Sequence, residues 1–315
     1  MVQGVAATGC VRGAEPKMGF GGETRLGMAR RQAASLRGPV GMMRPVAGTG
    51  AQGKMGQEEG MIDTHAHLGY PDFDGDRQEV IERSFEEGCE AILEVGWHAE
   101  SSRAAAKLAA ENERIYASVG IHPHEADRAT VDSFETIAEL LDQPKVVAIG
   151  ETGLDFYRNY SSPDRQREVF RWQIGLARSN SLPLIIHDRD AHADVLSILK
   201  AEKAAEVGGV MHCFSGDAET ARQAIDLGFH IGLGGSLTYG RKEDVWRDIL
   251  RVVPRERMLL ETDCPWLSPA PYRGKRNEPM RVRLVLETLG RLLEADLPEL
   301  ERATSENARR LFRLG

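Results

Sequence analysis

The stretch Met61-Ile62-Asp63-Thr64-His65-Ala66-His67-Leu68 reads as a short β-strand with two histidines near its end. Similar apolar, β-rich runs recur at Ala91–Trp97, Ile115–Ile121, Val146–Gly150, Leu182–His187, Gly209–Phe214, His230–Leu237 and Met258–Thr262, making eight. Between them lie segments with helical period and charged faces: Asp76–Gly88, Ser101–Asn112, Ser133–Leu141, Pro163–Asn180 and Ala218–Gly228. Strands that alternate with helices predict parallel βαβ units. Eight such units in about 250 residues predict a (β/α)8 TIM barrel, an α/β fold forming a single domain over residues 61–315, rather than an open doubly wound sheet. No G-x-G-x-x-G follows the first strand and no P-loop motif occurs, which removes the main support for dinucleotide or nucleoside triphosphate binding.

Histidines and acids gather where these strands end. His65 and His67 close the first run, and side chains two apart on a strand point to the same side, so both imidazoles can reach one ion. Glu151 ends the fourth run, His187 the fifth, His212 the sixth and Asp263 the eighth. In a barrel of this kind, catalytic groups come from the C-terminal ends of several strands. Taken singly, each residue has a plain structural role open to it: a core histidine, or, for Asp263 before Cys264-Pro265, a helix cap. Taken together, two carboxylates and four imidazoles crowded into one mouth would be costly without a cation, and a metal centre removes that cost. Imidazole and carboxylate donors suit Zn, Mn or Fe better than Ca. Cys213 and Cys264 adjoin two of these residues, and strict alternation would turn their thiols away from the ligand side.

Outside the barrel the composition changes. Residues 1–60 hold eight Lys/Arg against four acids and fourteen of the 33 glycines, whereas the whole chain carries −8, leaving −12 on residues 61–315. A segment so poor in apolar material and so costly to order predicts a disordered Gly/Arg-rich extension. Its Arg-rich, acid-poor character also fits a transit peptide, and Met55 or Met61 would serve as alternative starts. No run approaches the ~18 apolar residues of a membrane helix. Four widely spaced cysteines without a C-x-x-C pair point to a reducing, cytoplasmic setting. A closed barrel with no evident extra apolar surface is expected to be a monomer.

At this point the motifs resemble a known family. Ile62-Asp63-Thr64-His65-Ala66-His67-Leu68, Gly120-Ile121-His122-Pro123-His124, Gly150-Glu151-Thr152-Gly153-Leu154-Asp155 and Ile186-His187-Asp188-Arg189 resemble, in order, signatures of the TatD family of metal-dependent deoxyribonucleases. So do His212-Cys213-Phe214-Ser215-Gly216, Glu261-Thr262-Asp263-Cys264-Pro265, Arg273-Gly274-Lys275-Arg276-Asn277-Glu278-Pro279 and the tail Asn307–Phe312. Thr152 stands where many members carry Ile. The resemblance implies a metal-dependent, amidohydrolase-like TIM barrel that cleaves DNA phosphodiester bonds from single-stranded ends in the 3′ to 5′ direction. It implies two divalent ions (Mg, Mn or Zn), one held by His65, His67, Glu151 and Asp263 and one by Glu151, His187 and His212, with Glu151 bridging. It also implies a phosphate contact for His122. A carboxylate already at the first ion, Asp263 is suited to orient an attacking water and take its proton.

The basic run from Arg273 through Lys275 to Arg276 follows the last strand on the catalytic side and is suited to binding phosphates. Arg158 and Arg189 follow the fourth and fifth strands. Trp97, Trp266, Phe156, Tyr157 and Phe214 lie near strand ends, where aromatics either pack or stack on bases. A net charge of −12 argues against tight nonspecific duplex binding and for an enzyme that holds a short stretch or a free end. Two other readings stay open: a hydrolase of another ester on the same scaffold, such as a D-aminoacyl-tRNA deacylase, and a metal-binding protein without turnover.

Overall fold

The computed structural model describes residues 60–240 and 243–315; the expected extension over residues 1–60 falls, but for Gly60, outside them. Eight parallel strands follow one another in chain order: β1 Met61–Ala66, β2 Cys89–Val95, β3 Ile115–Val119, β4 Val146–Asp155, β5 Leu184–Arg189, β6 Gly209–Met211, β7 Phe229–Leu233 and β8 Met258–Leu260. The ring closes where Ala66 bridges Cys264 and where His67 N–H donates to Cys264 O and Asp263 N–H to His65 O. This is the TIM barrel that the alternating pattern predicts. Its strands are buried on both faces, which is why they read as nearly unbroken apolar runs.

Nine helices are described: α1 Arg77–Glu86, α2 Ala99–Glu111, α3 Val131–Leu140, α4 Pro163–Asn180, α5 His192–Ala201, α6 Ala218–Asp226, α7 Glu243–Leu250, α8 Val282–Leu293 and α9 Leu297–Phe312. Their starts are marked by local chemistry. His98 with Ser101 and Thr130 with Ser133 form capping boxes on α2 and α3, Asp217 and Asp296 cap α6 and α9, and Pro163 opens α4. Inside the barrel Ile62, Leu93, Ala148, Ile185, Val210 and Leu259 form one apolar cluster, joined by Ala308 and Phe312 of α9. The buried Asn307 donates to Arg255 O and Met258 O, and Ser305 to Gly60 O, tying α9 to the N-terminal ends of β8 and β1. No described helix is long and apolar enough to cross a membrane.

Two strands depart from simple alternation. On β1 the register to β2 shifts between Asp63 and Ala66, so Ile62 joins the interior cluster while Ala66 packs outward. On β4 it shifts between Ile149 and Thr152, and the strand runs on to Asp155 rather than stopping at Gly150. Such bulges add a residue to one strand and re-aim the side chains beyond it. Gly150 and Gly153, with φ of 143° and 140°, allow it: a Cβ on Gly153 would lie 2.0 Å from His187 O. By contrast, β6 and β8 are shorter than expected, because Cys213 and Asp263 take positive φ (42° and 56°) and carry the chain out of the ladder.

Candidate metal centre

The two bulges turn His65, His67 and Glu151 toward the mouth. His187 and His212 arrive there by ordinary alternation from Ile185 and Val210, and Asp263 from the turn after β8. The Nε2 atoms of His65 and His67 are 3.1 Å apart. Glu151 Oε2 lies 3.5 Å from the first and 3.8 Å from the second, and Asp263 Oδ1 3.9 and 3.5 Å. The other oxygen, Glu151 Oε1, is 2.6 Å from His187 Nδ1, 3.5 Å from His122 Nε2 and 3.7 Å from His212 Nε2. His212 also stacks on His65, ring centroids 3.5 Å apart, with its Nε2 3.9 Å from Asp263 Oδ1. All six groups thus meet around one carboxylate whose two oxygens face different partners.

The donor set fits divalent cations. Ligands bound at about 2.0–2.2 Å sit ~3–3.6 Å from one another, and most of the contacts above fall in or near that range. His67 Nδ1 is 2.9 Å from Val95 O and must donate there, which leaves the Nε2 lone pair facing the centre. Burial, assisted by the neighbouring His212, lowers the His65 pKa to about 4, so that ring is neutral and able to ligate. Its Nδ1 is buried without a partner. Burial alone would raise the pKa of Glu151, but His122, His212 and His187 outweigh it and hold the carboxyl well below its usual range. His67, His212 and His65 do the same for Asp263 against its own burial. Both acids are ionised at neutral pH.

Behind the ligands stand buried carboxylates whose roles the sequence reading did not recognise. Glu94 accepts from Leu68 N–H and Gly69 N–H (2.7 and 2.8 Å), fixing the chain just beyond His67, and burial raises its pKa to about 7. Asp63 accepts from Thr262 N–H and Oγ1–H (2.9 and 2.6 Å), holding the approach to Asp263. Glu261 accepts from Cys213 N–H. Asp155 Oδ2 lies 2.7 Å from His124 Nε2 and 3.3 Å from His187 Nε2. An acid inside an apolar strand, as with Glu94 in β2, is a signal that sequence alone offers.

His122 reaches the same centre. Its Nδ1 accepts from His124 N–H, and burial lowers its pKa to about 4, so the neutral ring carries its proton on Nε2. Gln173 clamps the preceding residue through both Ile121 N–H and Ile121 O, and also donates to Thr152 Oγ1. The hydroxyl of Thr152 therefore has a defined partner beside Glu151. Trp97 and Trp266 stand edge-on to His67, while Phe214 is buried in the core.

The basic run divides. The Arg276 guanidinium is bound by both oxygens of Asp76 (2.7 and 2.6 Å) and by Asp72 O, which clamps the loop ahead of α1. Arg273 lies 4.1 Å over the Tyr239 ring and Lys275 5.8 Å from Tyr272. The expectation for Cys213 also needs correction. Its positive φ breaks the alternation and brings the thiol within 4.8 Å of ligand atoms of His212 and Glu261.

The TatD related DNase family model matches residues 62–313. The chain is 45% identical over 254 residues to the metal-dependent hydrolase YabD of Bacillus subtilis, covering 81% of this chain and 99% of that one. It is 36% identical over 259 residues to the 3′-5′ ssDNA/RNA exonuclease TatD of Erwinia tasmaniensis, covering 81% and 100%. Among solved structures, the TatD homologue YJJV from Escherichia coli superposes with a TM-score of 0.76 at 32% identity, covering 81% of this chain and 98% of that one. The chain belongs to the TatD family and is a metal-dependent hydrolase.

Proposed function

We propose that the protein is a 3′-5′ exonuclease that hydrolyses phosphodiester bonds at single-stranded DNA ends with two divalent ions. The observation that carries this reading is the division of Glu151: Oε2 toward His65 and His67, Oε1 toward His187, His122 and His212. His65, His67, Glu151 and Asp263 would hold one ion, and Glu151, His187 and His212 the other. Bound there, such ions supply Lewis acidity to the phosphoryl oxygens and lower the pKa of a water. The rest is done by side chains. Asp263, ionised and with its side chain 15% exposed, is placed to orient a water and accept its proton. His122 Nε2–H is placed to donate to a phosphate oxygen. Arg273 and Lys275 supply positive charge on a barrel that is otherwise acidic. The name of the Erwinia relative supports single-stranded nucleic acid as the substrate class.

The test is incubation of purified protein with 3′-labelled single-stranded DNA in Mg, Mn or Zn, beside a D-aminoacyl-tRNA and a chelated control. Shortening of the DNA that disappears with chelator and in Glu151→Ala is the expected result. Activity on the ester alone would overturn the nuclease reading. Asp263→Asn is expected to keep the fold and lose ~100-fold or more in turnover; near-normal activity with intact metal loading would remove Asp263 from the proton-accepting role.

A further inference from the structure

We infer that Arg158, Tyr157 and Arg189 form a subsite for the phosphodiester backbone of the substrate strand, next to the cleavage centre. This rests on the nuclease reading and adds to it the place where the uncleaved strand is held. Arg189 ends β5, two residues beyond His187 and on the same side of the strand. Its guanidinium lies 4.0 Å over the Tyr157 ring, and that of Arg158 lies 5.5 Å from it. Among the described residues neither guanidinium has a carboxylate at ion-pairing distance. In contrast, Arg165, Arg167, Arg171 and Arg178 on the adjoining α4 are each paired with an acid. A guanidinium held over an aromatic ring still has N–H donors to offer and loses little further freedom on meeting a phosphate.

The patch is also fixed relative to the centre. Asp155 Oδ1 accepts from Tyr157 N–H and Arg158 N–H (3.0 and 2.7 Å), while its Oδ2 faces His187 and His124. One carboxylate therefore sets the turn that carries the cations and orients an imidazole at the cleavage centre. Phe156 N–H donates to Arg189 O, joining the turn to β5. Tyr157 is 56% exposed and Tyr160, edge-on to His124, is 65% exposed. Exposed rings beside unpaired cations, on a protein with net negative charge, suit single-stranded nucleic acid.

The experiment measures binding of fluorescein-labelled dT12 and dA12 to the full-length protein by anisotropy, in chelator, across a salt series. Arg158→Ala/Arg189→Ala is expected to weaken both oligonucleotides alike and to reduce the slope of log affinity against log salt by ~0.7 per cation removed. Lys200→Ala/Lys203→Ala, a charge-matched change in the last turn of α5 and just beyond it, at the opposite end of the barrel, is expected to leave the slope unchanged. Equal slopes for the Arg variant and wild type, or an equal fall in both double variants, would overturn the subsite. Hydrolysis of bis(p-nitrophenyl) phosphate, too short to reach the patch, separates the two readings. It is expected to be unchanged in the Arg variant; its loss there would assign the cations to the reaction itself. Absence of that activity from the metal-loaded wild type would count against the nuclease reading instead.

Discussion

Strands β4 and β5 lie side by side and deliver groups to one centre by different means. β5 runs regularly, so Ile185, His187 and Arg189 share a face and simple alternation carries His187 to the mouth. β4 changes face midway. Its register shift moves Glu151 and Asp155 to the side that Ala148 occupies lower down, at the cost of two glycines in a backbone conformation that other residues avoid. The same contrast separates β1 from β6. Where the regular strand suffices, a ligand costs one polar residue in an apolar run. Where it does not, as on β1 and β4, the backbone itself is reshaped.

Changes on the two strands should therefore fail in different ways. Glu151→Ala is expected to lose both ions and more activity than the 10–100-fold typical of residues behind a metal ligand, whereas His187→Ala loses one ion. Bound metal per chain, measured by mass spectrometry, checks this, and equal loss from both variants would end the bridging role. Gly153→Ala meets the His187 carbonyl oxygen and should cost on the order of 3–5 kcal/mol in urea unfolding. Gly175→Ala, in open space on α4, should instead stabilise by about 0.5–1 kcal/mol. A small cost at Gly153 would show that the bulge relaxes easily. Asp155→Asn leaves both strands in place but loosens His187, with an expected 10–100-fold loss of activity at nearly unchanged melting temperature.

A pH-dependent effect belongs to β7, a regular strand. His230 is buried there beside Arg257, and burial first, then that charge, lowers its pKa to about 4. The folded state disfavours the protonated ring, so this stability is complete above pH 6.5 and is lost as pH falls toward 4. At pH 5.5 the loss is about 1.4 kcal/mol. His230→Gln should flatten the melting curve against pH by that amount between pH 7.5 and 5.5; an unchanged pH dependence would show that the ring protonates without penalty.

Much of this was legible in the chain. Strands buried on both faces must be apolar throughout, so eight such runs announced the barrel, and imidazoles or acids at their ends stood out against that background. The four helices α5, α7, α8 and α9 were not marked individually by the periodic pattern. Asp63 and Asp155 were visible only as letters within motifs, because their partners, Thr262 and His187, lie far away in sequence. Arg276 and Arg273 read alike, yet a bidentate contact with Asp76 separates them.

Residue order alone determined the parallel barrel and which polar groups stand at its rim, because alternation and burial act over a few neighbouring positions. Tertiary structure decided which way Glu151 and Cys213 face, which cations stay unpaired and which carboxylates brace the histidines. Those outcomes depend on register shifts and on hydrogen bonds between distant strands, and neither leaves a local periodic trace.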